Sequence, residues 1–487
     1  AGGIDINNIT TVDIDTDTAA GNITLTANDG NIALFDTITN LGTTDTTGRT
    51  VTLDSSAKNG NINLGAFNGD GDGGSNYSDL TLNSGTGGTI TGSGAITNVG
   101  TLDITNSNGA TFSNTVNVTT MDISDTEDGQ TVAFQDDLTA NTLTTTANAY
   151  NVSITGDSNT ITTNTTFANT GTITLGDATA DTLTFTGGLE TTSGSGTTVG
   201  GTVRTGGQQI DLDNVTLSNN AVVDGTNNGG SAAGALINIA SVDADDAGAN
   251  DRTLTLHSGT GGAIAVSGNI GATQALAGLD ITNSNGATFS GSIDVTDGTG
   301  VLDISDTEDN QDVTFAGNTS ATTLTTTANS YDLVFQEDLT VTNDVTFAAI
   351  RNLNLGDLTD DISTFNGGLD TTAVTGTVTL NGAVRTSGDQ LDIGAATLGA
   401  DTVIDTGNAA AGIINVGAVT SGNNQLTLDS GSTAGATIGL GSFVAGQGGL
   451  IIRDAGGLAT IGDVGSTNTG TVTITDSTGG VTFSDNV

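Results

Sequence analysis

Short stretches of alternating apolar and polar residues return along the chain at a spacing near 20 residues, and this recurrence constrains the fold more than any other feature. Leu102, Met121 and Leu143 sit in the segments TLDIT, TMDIS and TLTTT, 19 and 22 residues apart, and Leu302 and Leu324 repeat the 22-residue interval. Within one such period lie three short runs: TLDI, then ATF ending at Phe112, then VNVT. Each run places apolar residues on one face at period two and stops at Gly, Asn or Asp, which tolerate a left-handed backbone. The polar positions are mostly Gly, Thr, Asn, Ser and Asp, all poor helix formers. About three strands per 20–22 residues is the rung of a parallel β-solenoid, whose coils stack on one another. The expected fold is therefore all-β, a single elongated right-handed parallel β-helix with about 20–22 residues per rung. Phe112 and Phe134 should then stack inside neighbouring rungs. A sandwich gives no reason for like positions to recur at each rung, and a flexible Gly/Thr linker lacks ordered alternation.

A longer repeat lies above the rung. LTLNSGTGG from Leu80 returns as LTLHSGTGG from Leu254, DITNSNGATFS from Asp103 returns at Asp280, and DISDTED from Asp122 returns at Asp303. The super-repeat is about 175–180 residues, or roughly eight rungs. This organises the chain as N-terminal rungs over 1–79, super-repeats over 80–253 and 254–425, and a partial third over 426–487, all expected in one solenoid. The ends are out of phase with that unit, and the chain starts at Ala1 without a visible signal peptide. It reads as a window on a longer array or a processed product, the alternative being a subunit whose ends stack on other copies.

Composition removes several function classes. Seven Lys+Arg stand against 54 Asp+Glu, a formal net charge of −47, so nucleic acid and anionic membranes would meet their own sign. No apolar run approaches the roughly 20 residues of a membrane-spanning helix. Cys is absent, which excludes disulfides and thiolate metal sites, and Pro is absent too. A solenoid pairs nearly every strand on both sides, so each backbone N–H is needed.

The segments GNITLTANDGNIAL (Gly21 to Leu34) and LTLNSGTGGTI (Leu80 to Ile90) resemble the β-strand-repeat regions of large bacterial surface proteins, of which the filamentous-haemagglutinin-like adhesins are the nearest named family. The resemblance is one of texture and covers nearly the whole chain, although nothing in residues 1–80 matches that family's secretion domain. It implies a secreted, rod-forming, surface-attached protein and carries over no residue-specific role.

Catalytic chemistry finds little support. The single His, His257, has Asn83 and Asp429 as its counterparts and reads as an exposed turn residue rather than a general base. No GxSxG, Walker or HExxH motif occurs. Two carboxylates about 5–10 Å apart would suit glycoside hydrolysis. However, Trp is absent, Tyr is limited to Tyr77, Tyr150 and Tyr331, and the acidic clusters are repeated where a catalytic site is unique. No enzyme is expected, with a polysaccharide-cleaving β-helix as a remote alternative.

Calcium is the best-supported ligand. Asn68-Gly69-Asp70-Gly71-Asp72-Gly73, with Asp79 at the twelfth position, has the spacing of a calcium loop. Ser75 replaces the usual hydrophobe and no flanking helices are expected, so a Gly/Asp-rich surface insertion is the competing reading. The candidate ligands are Asn68, Asp70, Asp72 and Asp79. Asp103 and Asp122, and likewise Asp280 and Asp303, would lie about 4.8 Å apart on adjacent rungs, repelling by about 0.9 kcal/mol even in water. Cations, register offsets or solvation must relieve this; DISDTED itself reads as a solvated acidic turn. TLTTT at Thr142–Thr146 and Thr323–Thr327 reads as a plain solvent-facing strand rather than an ice-binding array.

The expected function is a non-catalytic structural protein, a segment or subunit of an extracellular bacterial fibre, filament or surface layer. Its partners would be other copies or further repeats, end to end or side by side. The alternative is a glycan- or host-surface-binding stalk module of a giant secreted adhesin, with the inserts Asn68–Asp79 and Gly225–Ala233 as its candidate patches.

Overall fold

The chain divides into two compact units, residues 1–240 and 241–487. A computed structural model describes residues 4–6, 12–13, 22–28, 30–34, 38–39, 49–69, 77–245, 252–445, 448–465 and 470–485. Each unit is a parallel β-solenoid. Described strand pairs run parallel and join a strand to its counterpart one turn later, with three strands to the turn. Among the described residues the helical content is one 3₁₀ turn, Ser56–Lys58.

In the first unit, one face stacks Leu34, Leu64, Gly92, Phe112, Phe134 and Ile154 on successive turns. A second face stacks Leu53, Leu82, Ile104 and Ile123. These side chains point inward and are 0–1% exposed, Gly92 aside; each such burial is worth roughly 1.5–3 kcal/mol. The expected ring pair is present: Phe112 and Phe134 stack with centroids 5.3 Å apart and planes 10° apart. In the second unit the equivalent column carries three rings in succession, running Val266, Phe289, Phe315, Phe335 and Leu355.

Rung length departs from the expectation in places. From Ile90 the turns to Ala110, Val132, Val152 and Ile173 take 20, 22, 20 and 21 residues, but Ile32 to Ile62 takes 30 and Ile62 to Ile90 takes 28. Among the described residues, part of the extra length is the corner that holds the 3₁₀ turn ending on Asn59 in the left-handed region. Strand pairing fixes the strands and leaves the corners free to lengthen.

The super-repeat is not a whole number of turns. Leu254 lies in the column Leu254–Leu279–Leu302–Leu324, whereas its sequence counterpart Leu426 opens the strand Leu426–Asp429, whose Leu428 lies in a column that descends through Ile404, Val384, Ser363, Leu339 and Thr319 to Ile293 and Ile270. Leu254 precedes Ile270 by two strands, and Ile270 to Leu428 is seven turns. The repeat therefore spans seven turns and two strands, so like sequences fall on different faces of the second unit. Phe483, whose TFS matches that around Phe112 and Phe289, shows the same shift: it sits in the column of Ile461, while Phe289 sits in that of Phe315 and Phe335.

Corners are nevertheless reproduced in detail. In LGDATAD and LGDLTDD, Gly176 and Gly356 take φ of 75° and 74°. In each, the final Asp folds back: Asp181 Oδ2 accepts the N–H groups of Asp177 and Ala178 at 2.8 and 2.9 Å, and Asp361 Oδ2 those of Asp357 and Leu358, both at 2.7 Å. Buried carboxylates are tolerated here because backbone donors satisfy them.

Candidate functional site

The aspartate pairs face outward on adjacent rungs in direct register, Asp103 beside Asp122 and Asp280 beside Asp303. Hydroxyl donors from the strand ends relieve the charge. Ser124 Oγ donates to Asp103 at 2.8 Å, Thr105 Oγ1 to Asp103 at 3.2 Å and Thr144 Oγ1 to Asp122 at 2.5 Å. In the second unit Ser305 Oγ donates to Asp303 at 2.5 Å and more weakly to Asp280 at 3.4 Å, and Thr325 Oγ1 donates to Asp303. Half-burial is the main cause raising the Asp103 and Asp280 carboxyls above the usual range; the charges of Asp122 and Asp303 add to it and the hydroxyl donors oppose it. His257 also lowers Asp280 through its charge.

The two pairs differ in their surroundings. Between Ile96 and Leu102 the first copy runs as one bulged strand, Ile96–Asn106, whereas the second copy takes three more residues from Ile270 to Leu279. One rung later, Val295 to Leu302 is four residues longer than Val118 to Met121. Both insertions are anchored: Leu276 is fully buried, Leu276 N–H donates to the Asp294 main-chain O at 3.1 Å, and the second loop closes with Gly300 N–H on Asp297 O at 2.8 Å. The second insertion raises Thr299 as a wall beside the pair. Gly278 stands where the first copy has Thr101, Thr253 where it has Asp79, and His257 where it has Asn83. The result is a groove of about 310 Å³ with Asp280 and Asp303 on its floor and Thr253, Thr255 and Thr299 at its sides.

A larger hollow, about 500 Å³, runs along the corner formed by Gly394, Gly417 and Gly441. Its carboxylate is already engaged, with Asn415 Nδ2 donating to Asp392 at 2.7 Å and Gln390 Nε2 at 2.6 Å. It offers backbone and satisfied side chains, so its size does not make it the better site.

The structure places the other sequence candidates as follows. Asp70 and Asp72 lie outside the described residues. Asn68 Oδ1 accepts Asn98 Nδ2 at 3.0 Å, and Asp79 Oδ1 accepts Thr101 N–H at 2.7 Å, so both are built into neighbouring rungs. Among the described residues no three His, Cys, Asp or Glu converge as metal ligands. DISDTED is more than a solvated turn: Asp125 is clamped by Asn106 and Asn148 at 3.1 and 2.8 Å, Asp306 by Asn283 and Asn329 at 3.1 and 2.5 Å, and Thr126 and Thr307 are buried against Ser107 and Ser284. The TLTTT hydroxyls also bond within the solenoid, Thr146 to Ser124 O at 2.7 Å and Thr145 from Ala168 N–H at 2.7 Å. His257 is not an exposed turn residue; it closes the strand Thr253–His257, half-buried, opposite Asn283. The insert after Asp224 is an ordered turn, with Asp224 accepting from Thr226 and Asn228 at 2.5–2.7 Å. Arg252, Arg351 and Arg453 each pair with a neighbouring Asp rather than forming a patch.

A buried acid of the first copy, Asp213, lacks an acidic counterpart in the second. Asp213, where that copy has Gly394, is 8% exposed; Thr197 Oγ1 donates to its Oδ1 at 2.5 Å, while Oδ2 has no partner. Burial raises its carboxyl, with the Thr197 and Thr191 hydroxyls opposing. A raised carboxyl contributes stability that is full below its ordinary value, near 3.8, and is lost as pH rises through the folded value. Asp213→Asn is thus expected to raise the melting temperature at pH 7, with the gain shrinking towards pH 4. Thermal melts of both proteins across that range check this, and a lower melting temperature for the variant at pH 7 would contradict it.

The fold defines a class, a parallel β-solenoid of sequence-repeated coils. No protein-family model, curated protein or solved structure matches the chain.

Proposed function

We propose that the chain is a non-catalytic structural protein, a segment or subunit of an extracellular bacterial fibre, filament or surface layer of the kind the adhesin-like repeats suggest. The observation that carries this reading is the use of polar chemistry. Rung after rung, hydroxyls, amides and carboxylates bond to the neighbouring coil rather than converging on a reactive centre. Such ladders suit a protein whose work is to persist under load, since each coil is held to the next by main-chain and side-chain bonds together.

Calcium at the Asn68–Asp79 loop belongs to this proposal as a clip between long corners. Thermal melting with calcium and then with excess EDTA tests it: a drop of several degrees is expected, and superimposable curves would remove calcium from the account. Electron microscopy of the secreted material tests the function itself, with filaments or a layer expected and dispersed single particles at every concentration as the opposing result.

A further inference from the structure

We propose that the corner over Asp213 binds a monovalent metal cation of about sodium's size, held by the Asp213 carboxylate and the Thr191 main-chain carbonyl. Such a site goes beyond the structural role and does not depend on it. Asp213 Oδ2 is buried without a hydrogen-bond partner, although Oδ1 takes the hydroxyls of Thr197 and Thr191 at 2.5 and 3.3 Å. Oδ2 lies against Gly194. A Cβ on Gly194 would lie 3.2 Å from Oδ2, 3.2 Å from Thr191 O and 3.1 Å from Ile173 Cδ1, so both oxygens converge on the space that the glycine leaves. Gly194 does not take a left-handed φ, so its backbone does not require glycine. The missing side chain is what keeps that space open.

The second unit keeps the turn and loses the site. Gly394 N–H donates to Thr371 Oγ1 at 3.1 Å, as Asp213 N–H does to Thr191 Oγ1 at 3.2 Å. Val374 N–H closes on Thr371 O at 3.1 Å, as Gly194 N–H does on Thr191 O at 2.9 Å. On that shared frame three residues change together. Gly394 stands for Asp213, Val374 for Gly194, and Val378, which pairs with Leu353 as Thr197 pairs with Ile173, for Thr197. The carboxylate, its hydroxyl donor and the open space thus form one unit, present or replaced as a whole.

A buried charge is tolerated when it is paired or coordinated. A water molecule would satisfy the hydrogen bonding of Oδ2 but not its charge, and no ion pair among the described residues includes Asp213. The net charge of −47 concentrates cations at the surface, and Gly194 is half-exposed, which leaves an ion a way in. Among the described residues no three His, Cys, Asp or Glu converge, so the donor set lacks the several carboxylates that suit calcium. One carboxylate among neutral carbonyl and hydroxyl oxygens balances one positive charge.

Thermal melting of the full chain tests this, with EDTA present and sodium chloride compared with tetramethylammonium chloride at equal ionic strength, which holds screening constant. Sodium should raise the melting temperature of the first unit by about 2–4 °C at pH 7. Asp213→Asn should abolish that rise, so the gain expected for this variant shrinks in sodium. Gly194→Val, which copies the second unit's residue, should abolish it too. Asp211→Asn, which removes the same charge two residues away, should keep it. Asp213→Asn is isosteric and decides alone if Gly194→Val fails to fold. Three results would overturn the proposal: equal melting of the native chain in the two salts, an equal rise in Asp213→Asn, or, with EDTA omitted, a rise in calcium chloride that needs Asp213 and that sodium does not give. None of these outcomes depends on whether the protein forms filaments.

Discussion

Truncation of Phe315 to alanine is expected to destabilise the second unit by about 3–5 kcal/mol. Phe315 is the middle of three stacked rings, 5.1 Å from Phe289 and 4.9 Å from Phe335, with interplanar angles of 7° and 10°. All three rings are 0–1% exposed. Removing the central ring deletes both stacking contacts and leaves a cavity that rigid neighbouring coils cannot collapse, because main-chain pairing holds the spacing between them. Phe112 makes a useful comparison. It has one ring neighbour, Phe134, and on its other side Gly92, where an added Cβ would lie 2.6 Å from the Phe112 ring. Phe112→Ala should cost less than Phe315→Ala by the energy of one aromatic pair, about 0.5–1.5 kcal/mol. Guanidinium unfolding followed by far-UV circular dichroism measures both. A loss below about 1 kcal/mol for Phe315→Ala would mean that the ring ladder is not a close-packed core.

The second large effect is expected from a residue that touches no core at all. Ala133 faces outward in the strand Thr131–Phe134, between Thr111 on one side and Ser153 on the other. Ala133→Pro removes a main-chain donor from a strand paired on both sides and should cost about 3 kcal/mol or more. Ala133→Ser, which copies the residue one rung on, should change stability by less than about 0.5 kcal/mol. The contrast isolates the ladder from side-chain packing. Near-equal melting temperatures for the two variants would contradict double-sided pairing at this strand.

Much of the fold is legible in the sequence because a stacked coil repeats its own constraints. The interval from Leu102 to Met121 to Leu143 is a column of inward residues, and the spacing of Phe112 and Phe134 is a ring stack. The corners are less legible. Residues between strands contribute no periodic pattern, so the 28- and 30-residue turns around Ile62 look like interruptions rather than longer rungs. The phase of the super-repeat is hidden for a related reason: every face uses the same Val, Ile, Leu and Phe alternation, and nothing local distinguishes the face of Leu254 from that of Leu426.

The candidate site shows the same limits. That Asp103 and Asp122 face one another follows from the rung length alone. Their relief by Ser124 and Thr144, and the clamp of Asp125 by Asn106 and Asn148, depend on side chains about a turn away whose partners only the folded coil reveals. The groove did leave a signal in the sequence, in the offset between copies, which grows from 174 at Leu254 to 177 at Asp280 and 181 at Asp303. Each increment is an insertion at one corner, and the two corners flank the pair. Counting the offset locates the groove, whereas the large insertions at Asn68–Asp79 and Gly225–Ala233 draw attention elsewhere.

Coils of this chain stack through parallel main-chain ladders, and the proposed role is that these ladders build extracellular material. X-ray fibre diffraction or cryo-electron microscopy of the aligned native material measures this directly. Strands lying across the filament axis with an axial repeat of about 4.8 Å are the predicted result. Strands running along the axis, or material in which this chain is only a soluble particle without an axial repeat, would contradict it.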